Sequence, residues 1–379
     1  MKLIATGLAG RGHRVFYVTH RASRESRKGA KNLGVELISY PGPIGWHRHR
    51  MRMALPFLVL QLLATIVSRR VSSVYCYYEV FSVAPLMWIG KILPKLFITM
   101  RIAGLSWREV RRRSAWHEKI YKDVFERVDQ VNYIHPDLQQ VTDQECDQAG
   151  INLRLARVFV GDIGIPIDTL KKIGLRRPSN HDHFTAIVPT RFSPPKRQEL
   201  IVHALTLVPP NFKVTVQFAG EGKLKTVIEK MAKDLLPTDR YEFLGFVSQE
   251  RLWEHIGAAD LVMLPTDYEG LSKVTLESMA IGTPVMASQV IPFDAYITPD
   301  KTGFLVENTA EAWADALTHV LDNRQKLGTV IEPAQRFVTG NYSSAKNLAL
   351  YEKKLIPLNT PTQEKGSTRN PSRRIANPE

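Results

Sequence analysis

The sequence predicts an α/β protein built on parallel sheets wrapped by helices. Two observations carry that prediction. Between residues 184 and 265, β-rich apolar runs alternate with amphipathic runs: strand 184–190, helix 198–207, strand 213–219, helix 223–235, strand 241–244, helix 249–258 and strand 260–265. Such alternation is what a parallel sheet with crossover helices requires. The second observation is the stretch 265–287, PTDYEGLSKVTLESMAIGTPVMA, which reads as strand end, polar turn, helix closed by Gly282, and a further strand from Pro284. Its loop and helix start face the carboxyl end of the sheet, where open α/β sheets bind ligands.

The same loop carries candidate chemistry. Gly270 lets backbone come close to a ligand. The first helical turn, near Leu271, Ser272 and Val274, presents unpaired N–H groups that favour an anion such as a diphosphate. Two carboxylates flank that place, Glu269 on the loop and Glu277 further along the helix. A carboxylate suits sugar hydroxyls better than phosphate. From the residues alone, Glu269 could equally serve the helix dipole and Glu277 could be a surface residue.

The spacing resembles the signature of one family. Glu269 and Glu277, as E-x7-E, followed by S-M-A-x-G-T-P-V, closely resemble retaining glycosyltransferases of the GT-B fold, family 4 (glycosyl transferases group 1). The resemblance implies two Rossmann-like, doubly wound domains facing a cleft. It implies that Glu269 contacts the donor sugar and Glu277 the nucleotide ribose. Thr190–Arg197 resembles the family's G-R-x-x-x-x-K-G turn, so Arg191 and Lys196 would hold the donor diphosphate, although Thr190 and Arg197 replace the two glycines. Gly220-Glu221-Gly222 looks like the family's G-D/E-G turn, and Phe246 and Val247 lie in the segment whose backbone meets the base. Arg101 and Gly104, at the end of the strand 96–100, are candidates for facing the donor across the cleft. Asn308 with Glu311 resembles a helix-capping pair. Asp162 stands where the family has Asn, and no role is carried to it.

The resemblance also implies domain limits. Residues 1–165 would form an acceptor-side domain, 166–183 a hinge, 184–340 the nucleotide-sugar domain, 341–356 a helix returning to the first domain, and 357–379 a disordered Pro/Ser/Thr/Asn/Arg-rich tail. The chain starts with what reads as the family's first helix, so the first strand and its glycine-rich loop are expected to be missing. Either the start site is placed too late, or this is a truncated and impaired version.

Composition narrows the function classes. With 379 residues, 44% hydrophobic and 23% charged, the chain is long enough for two globular domains. Two cysteines, Cys76 and Cys146, imply no disulfide framework and suit a reducing, cytoplasmic compartment. The start shows no secretory leader pattern. The apolar run 55–67 is shorter than the roughly 20 residues that span a bilayer.

The formal charge of +14 asks for an anionic partner. Two basic-aromatic stretches could meet an anionic membrane from its inner face: Trp46 to Arg52 before the apolar helix 54–67, and Trp107 to Trp116 with Arg108, Arg111, Arg112 and Arg113, the second of which could instead meet a phosphorylated acceptor. Solvated helix faces are the plainer reading of both. His117 and His135 read as structural. Nucleic acid is not expected, because no binding motif accompanies the charge.

The function expected is transfer of a sugar from a nucleotide diphosphate sugar to a glycan or lipid-linked acceptor, with no other cofactor. No D-x-D metal handle occurs, so metal independence is expected. The alternatives are a nucleotide-sugar epimerase, which the E-x7-E match disfavours, and a catalytically impaired nucleotide-binding or membrane-associated scaffold.

Overall fold

A computed structural model describes residues 2–20, 22–40, 48–76, 80–103, 107, 111–153, 157–161, 164–174, 183–290 and 293–356. Gly104, Arg108, Asp162, the 178–180 stretch, Trp46 and His47, and the 357–379 tail lie outside the described residues. So do the side chains of 48–56, and with them the basic start of the long helix.

The first half begins with α1 (Lys2–Gly10), β1 (Val15–His20), α2 (Arg24–Asn32) and β2 (Val35–Tyr40). β1 and β2 pair in parallel, with Val15 opposite Val35. Next come α3 (Arg48–Arg69), β3 (Ser73–Cys76), α4 (Val80–Ile92), β4 (Phe97–Ile102), α5 (Ala115–Arg127), β5 (Gln130–Tyr133), α6 (Pro136–Gln148) and β6 (Arg157–Val160). β3 to β6 form a separate four-stranded parallel sheet in chain order. All but the first residue of β4 are buried, as in a sheet covered on both faces.

The two sheets share the same cores on both faces of one domain. Val18 of β1 and Val74 of β3 pack on the cluster that holds Leu62, Leu86, Met100, Tyr121 and Phe125. On the opposite face, Val15 and Tyr75 pack on Ile4, Leu8, Phe159 and Tyr351. Among the described residues, no ladder joins β1 to β3.

The second half contains α7 (Ile167–Ile173), β7 (Phe184–Val188), α8 (Gln198–Leu207), β8 (Val214–Ala219), α9 (Lys225–Leu235), β9 (Tyr241–Gly245), α10 (Gln249–Ala258) and β10 (Leu261–Leu264). It continues through α11 (Lys273–Ile281), β11 (Val285–Ser288), β12 (Phe304–Val306), α12 (Ala310–Asp322), α13 (Gln325–Asn341) and α14 (Ser344–Leu355). The parallel strands run β12-β11-β10-β7-β8-β9. Winding therefore proceeds outward from β7 in one direction and from β10 in the other. The switch point lies between those two strands, and their following loops border the crevice there.

The chain crosses twice between the halves, and the crossings are laced together. Ile165 N–H donates to Tyr342 O at 2.8 Å, and Ser344 N–H to Ile165 O at 3.0 Å. α14 then lies on α1 and β3. Its Tyr351 hydroxyl reaches Asn132 Oδ1 at 2.9 Å and Gly161 O at 2.8 Å.

Several expectations are corrected. The hinge 166–183 is not free chain throughout, because Ile167–Ile173 form α7, whose Ile167 and Leu170 are buried in the second-half core. The apolar helix is longer than 54–67, running Arg48–Arg69. Trp107 and Arg111 do not belong to a surface patch. Trp107 is buried against Tyr121 and Phe125, and Arg111 is buried and ion-paired with Glu118 and Glu145. His135 caps α6, accepting from Asp137 N–H at 3.2 Å. Among the described residues, no helix is long and apolar enough to cross a membrane.

Candidate active site at the sheet switch point

The loop after β7 is set by its anchor. Phe192 is buried and stands 6.0 Å, centroid to centroid, from Phe243 of β9. Gly220 and Gly222 let the turn after β8 press against it. A Cβ at those positions would come within 2.3 Å of Thr190 O and 2.1 Å of Phe192 O. Phe192 N–H donates to Glu221 O at 3.1 Å and Leu224 N–H to Phe192 O at 3.0 Å. Gly220 N–H reaches Gly245 O at 2.8 Å, tying in the turn after β9.

The loops after β7 and β10 are joined backbone to backbone across the switch point. Asp267 N–H donates to Pro195 O at 3.0 Å, Arg197 N–H to Pro265 O at 3.2 Å, and Lys196 bridges Thr266. That lacing brings the Lys196 ammonium directly onto Glu269 Oε2. Their side chains keep only 18% and 22% of their exposure, so solvent screens the pair weakly. The other Glu269 oxygen accepts from Gly270 N–H at 3.2 Å. Arg191 is exposed at the mouth of the same loop.

Under the loop lies a polar support that the sequence did not reveal. Ser288 Oγ accepts from Thr266 N–H at 2.8 Å and donates to Asn308 Oδ1 at 2.6 Å. Asn308 Nδ2 in turn donates to Thr266 O at 2.8 Å. Asn308 is therefore not a cap of α12. Thr309 is the cap, accepting from Ala312 N–H at 3.1 Å.

α11 starts at Ser272, whose side chain makes no capping bond, so the first-turn N–H groups remain available to an anion. Its end is Gly282, at φ 100°, a left-handed cap that glycine adopts without a Cβ penalty. Every residue from Thr275 to Ile281 is buried. Glu277 is thus a carboxylate within a buried helix, 7% exposed, accepting from Gln249 Nε2 at 3.1 Å. Burial raises its pKa above the usual carboxylate value, against the opposing pull of Trp253, Lys273 and Gln249. Gln249 opens α10 just after Phe246 and Val247. Phe246 is 81% exposed, and Val247 packs on the core beneath.

Gly270 borders the first half, while Leu271 packs on the second-half core. A Cβ on Gly270 would stand 2.9 Å from Ala103 O and 3.8 Å from Ile134 Cδ1, so the loop after β10 abuts the ends of β4 and β5. Arg101 is elsewhere. It lies buried in β4 beside the Tyr75 hydroxyl, on the sheet face that α14 covers. The switch point thus gathers Arg191, Lys196, Glu269, Gly270, Leu271 and Ser272. Glu277 is one helical turn deeper, Gly220 supports from the next turn, and Phe246 and Val247 line the α10 side. Cations and a helix start there suit a diphosphate, and the two carboxylates suit hydroxyls.

Residues 175–337 match the family model for glycosyl transferases group 1. A D-inositol 3-phosphate glycosyltransferase of Mycobacteroides abscessus is 33% identical over 135 residues, which is 35% of this chain and 30% of that protein. A GDP-mannose-dependent α-(1-6)-phosphatidylinositol monomannoside mannosyltransferase of Mycobacterium tuberculosis is 28% identical over 171 residues, 42% of this chain and 43% of its own. The matched stretches therefore span less than half of those relatives' lengths. The crystal structure of Anabaena HepE in complex with UDP superposes with a TM-score of 0.73 at 17% identity, covering 93% of this chain and 94% of that one. The fold is accordingly GT-B, two Rossmann-like domains facing one another.

Proposed function

We propose that the chain is a retaining glycosyltransferase of family 4, moving a sugar from a nucleotide diphosphate sugar to a glycan or lipid-linked acceptor. The observation that carries this reading is the meeting of Lys196 and Glu269 across the switch point, inside the stretch that matches group 1 glycosyl transferases. In this reading the donor diphosphate takes over Lys196, with Arg191 and the α11 start, and frees Glu269 for the sugar. Fixed cations there stabilise the charge growing on the leaving diphosphate. The leaving phosphate, on the acceptor's face of the sugar, receives the acceptor proton. The ribose lies at Glu277 and the base at Phe246 and Val247. The charge needed by the leaving group comes from side chains and backbone, so the proposal includes metal independence and no further cofactor.

The relatives named above act with GDP-mannose on a phosphatidylinositol mannoside, or on D-inositol 3-phosphate, and the HepE structure holds UDP. These names support a nucleotide sugar as donor and a polar or lipid-linked acceptor. Work at the inner face of a membrane in the cytoplasm belongs to the same reading. A second reading, an impaired nucleotide-binding scaffold, is favoured by Thr190 and Arg197 standing where the family's phosphate-binding turn has its two glycines.

Calorimetric titration with UDP, GDP, ADP and dTDP tests the donor site. One nucleotide should bind, and Glu277→Ala should weaken it about tenfold or more, the scale of a lost charged hydrogen bond. A folded chain that binds none of the four would end the transferase reading. Binding without transfer to any acceptor would leave the scaffold.

A further inference from the structure

α3 and α4 lie on one face of the first-half sheet and bury their inner sides in one cluster, Leu62 and Ile66 with Val83 and Leu86. Their outer sides are apolar as well. Of the thirteen large apolar side chains exposed among the described residues, five are on these two helices: Phe57, Leu60, Val67, Trp88 and Ile92. Leu60, Trp88 and Ile92 are 67%, 72% and 72% exposed. Leu60, Ala64 and Val67 recur at helical spacing, as do Trp88 and Ile92, so each helix presents a stripe rather than isolated residues. A soluble domain with no partner rarely gathers such residues on one face.

Charge decides what covers the stripe. Segments 48–69 and 80–95 contain Arg48, Arg50, Arg52, Arg69, Lys91 and Lys95 and no Asp or Glu, in a chain with 37 acidic residues. Lys91 holds its ammonium 5.3 Å from the Trp88 ring centroid, and Lys95 is exposed one turn beyond. Protein interfaces are depleted in lysine at their centres. Tryptophan and aliphatic side chains flanked by lysine are what the boundary between acyl chains and anionic headgroups takes. The helices are not long and apolar enough to cross.

We propose that the outer face of α3 and α4 rests on an anionic lipid surface, through Phe57, Leu60, Val67, Trp88 and Ile92 with Lys91 and Lys95 at the headgroups. The outer face of α3 continues the first of the two basic-aromatic stretches that the sequence suggested; in the second, Trp107 and Arg111 are buried while Arg112, Arg113 and Trp116 are exposed. The contact itself stands apart from the transfer reaction. A lipid-linked acceptor would benefit from it.

Sedimentation of the full chain with phosphatidylcholine vesicles, with and without phosphatidylglycerol, tests it. The wild type should pellet only with the anionic vesicles and be released by high salt. Trp88→Ser/Ile92→Ser and Lys91→Glu/Lys95→Glu should each weaken retention about tenfold, with unchanged melting temperatures. Wild type that stays in solution, or double variants retained as well as wild type, would overturn the proposal. So would a dimer in size-exclusion chromatography that Trp88→Ser/Ile92→Ser converts to monomer, since the stripe would then belong to a second copy. Nucleotide titration of the same samples reports on the transferase reading separately, so either can fail alone.

Discussion

Glu277 is costly to the fold, and the proposed reading gives it a ligand to hold. Burial raises its folded pKa, so the folded state favours the protonated acid. Stability therefore falls as pH rises from the ordinary carboxylate range through that raised pKa, and it is lowest above it. Glu277→Gln removes the charge and can keep an acceptor for Gln249 Nε2. The variant should melt about 1–3 °C above wild type near neutral pH, with the gain vanishing at about pH 4 and below. The same change should weaken nucleotide binding about tenfold. Scanning fluorimetry across pH measures the first effect, and a lower melting temperature at neutral pH would refute the account. Lys196 and Glu269 present the opposite case, a paired charge whose partner would be left exposed to little water if either were removed.

At the scale of elements, the site is three turns held by close backbone approach. Gly222 is the tightest of these positions, and the atom that an added Cβ would meet is the Phe192 carbonyl, which cannot swing aside as a side chain would. Gly222→Ala should cost about 2–4 kcal/mol in urea unfolding and displace the loop that carries Lys196. A loss under about 0.5 kcal/mol, the scale of an ordinary surface substitution, would mean that the turn relaxes freely. The charges and glycines of these turns were legible because each sits at a fixed offset from a strand or helix pattern in the sequence. The alternation from Phe184 onward was legible for the same reason. The support under the loop was not, because Ser288 and Asn308 lie 22 and 42 residues from Thr266 and meet it only through parallel strand order. Asn308 was misread as a cap because Thr309 beside it has the same capping chemistry. Trp107 and Arg111 were misread because a basic-aromatic run looks alike whether its apolar members face solvent or Tyr121.

At the scale of the molecule, the halves are held by the laced crossings at Ile165 and Ser343, by α14, and by the contact of Gly270 with Ala103. The last of these is the one that touches the proposed reaction. Glu277, Gln249, Phe246 and Val247 all belong to the second half, so nucleotide binding should not need the two halves to meet. Transfer does in the proposed reading, which puts the acceptor on the first half. Gly270→Ala places a Cβ 2.9 Å from the Ala103 carbonyl oxygen, and either the loop withdraws or the halves part. Nucleotide affinity should then stay within about twofold of wild type, while turnover falls about tenfold to a hundredfold, the scale of an ångström-sized misplacement. Donor hydrolysis can serve as the readout until an acceptor is known. If affinity and turnover fall together, Gly270 shapes the donor loop alone, and the two halves do not meet there during the reaction.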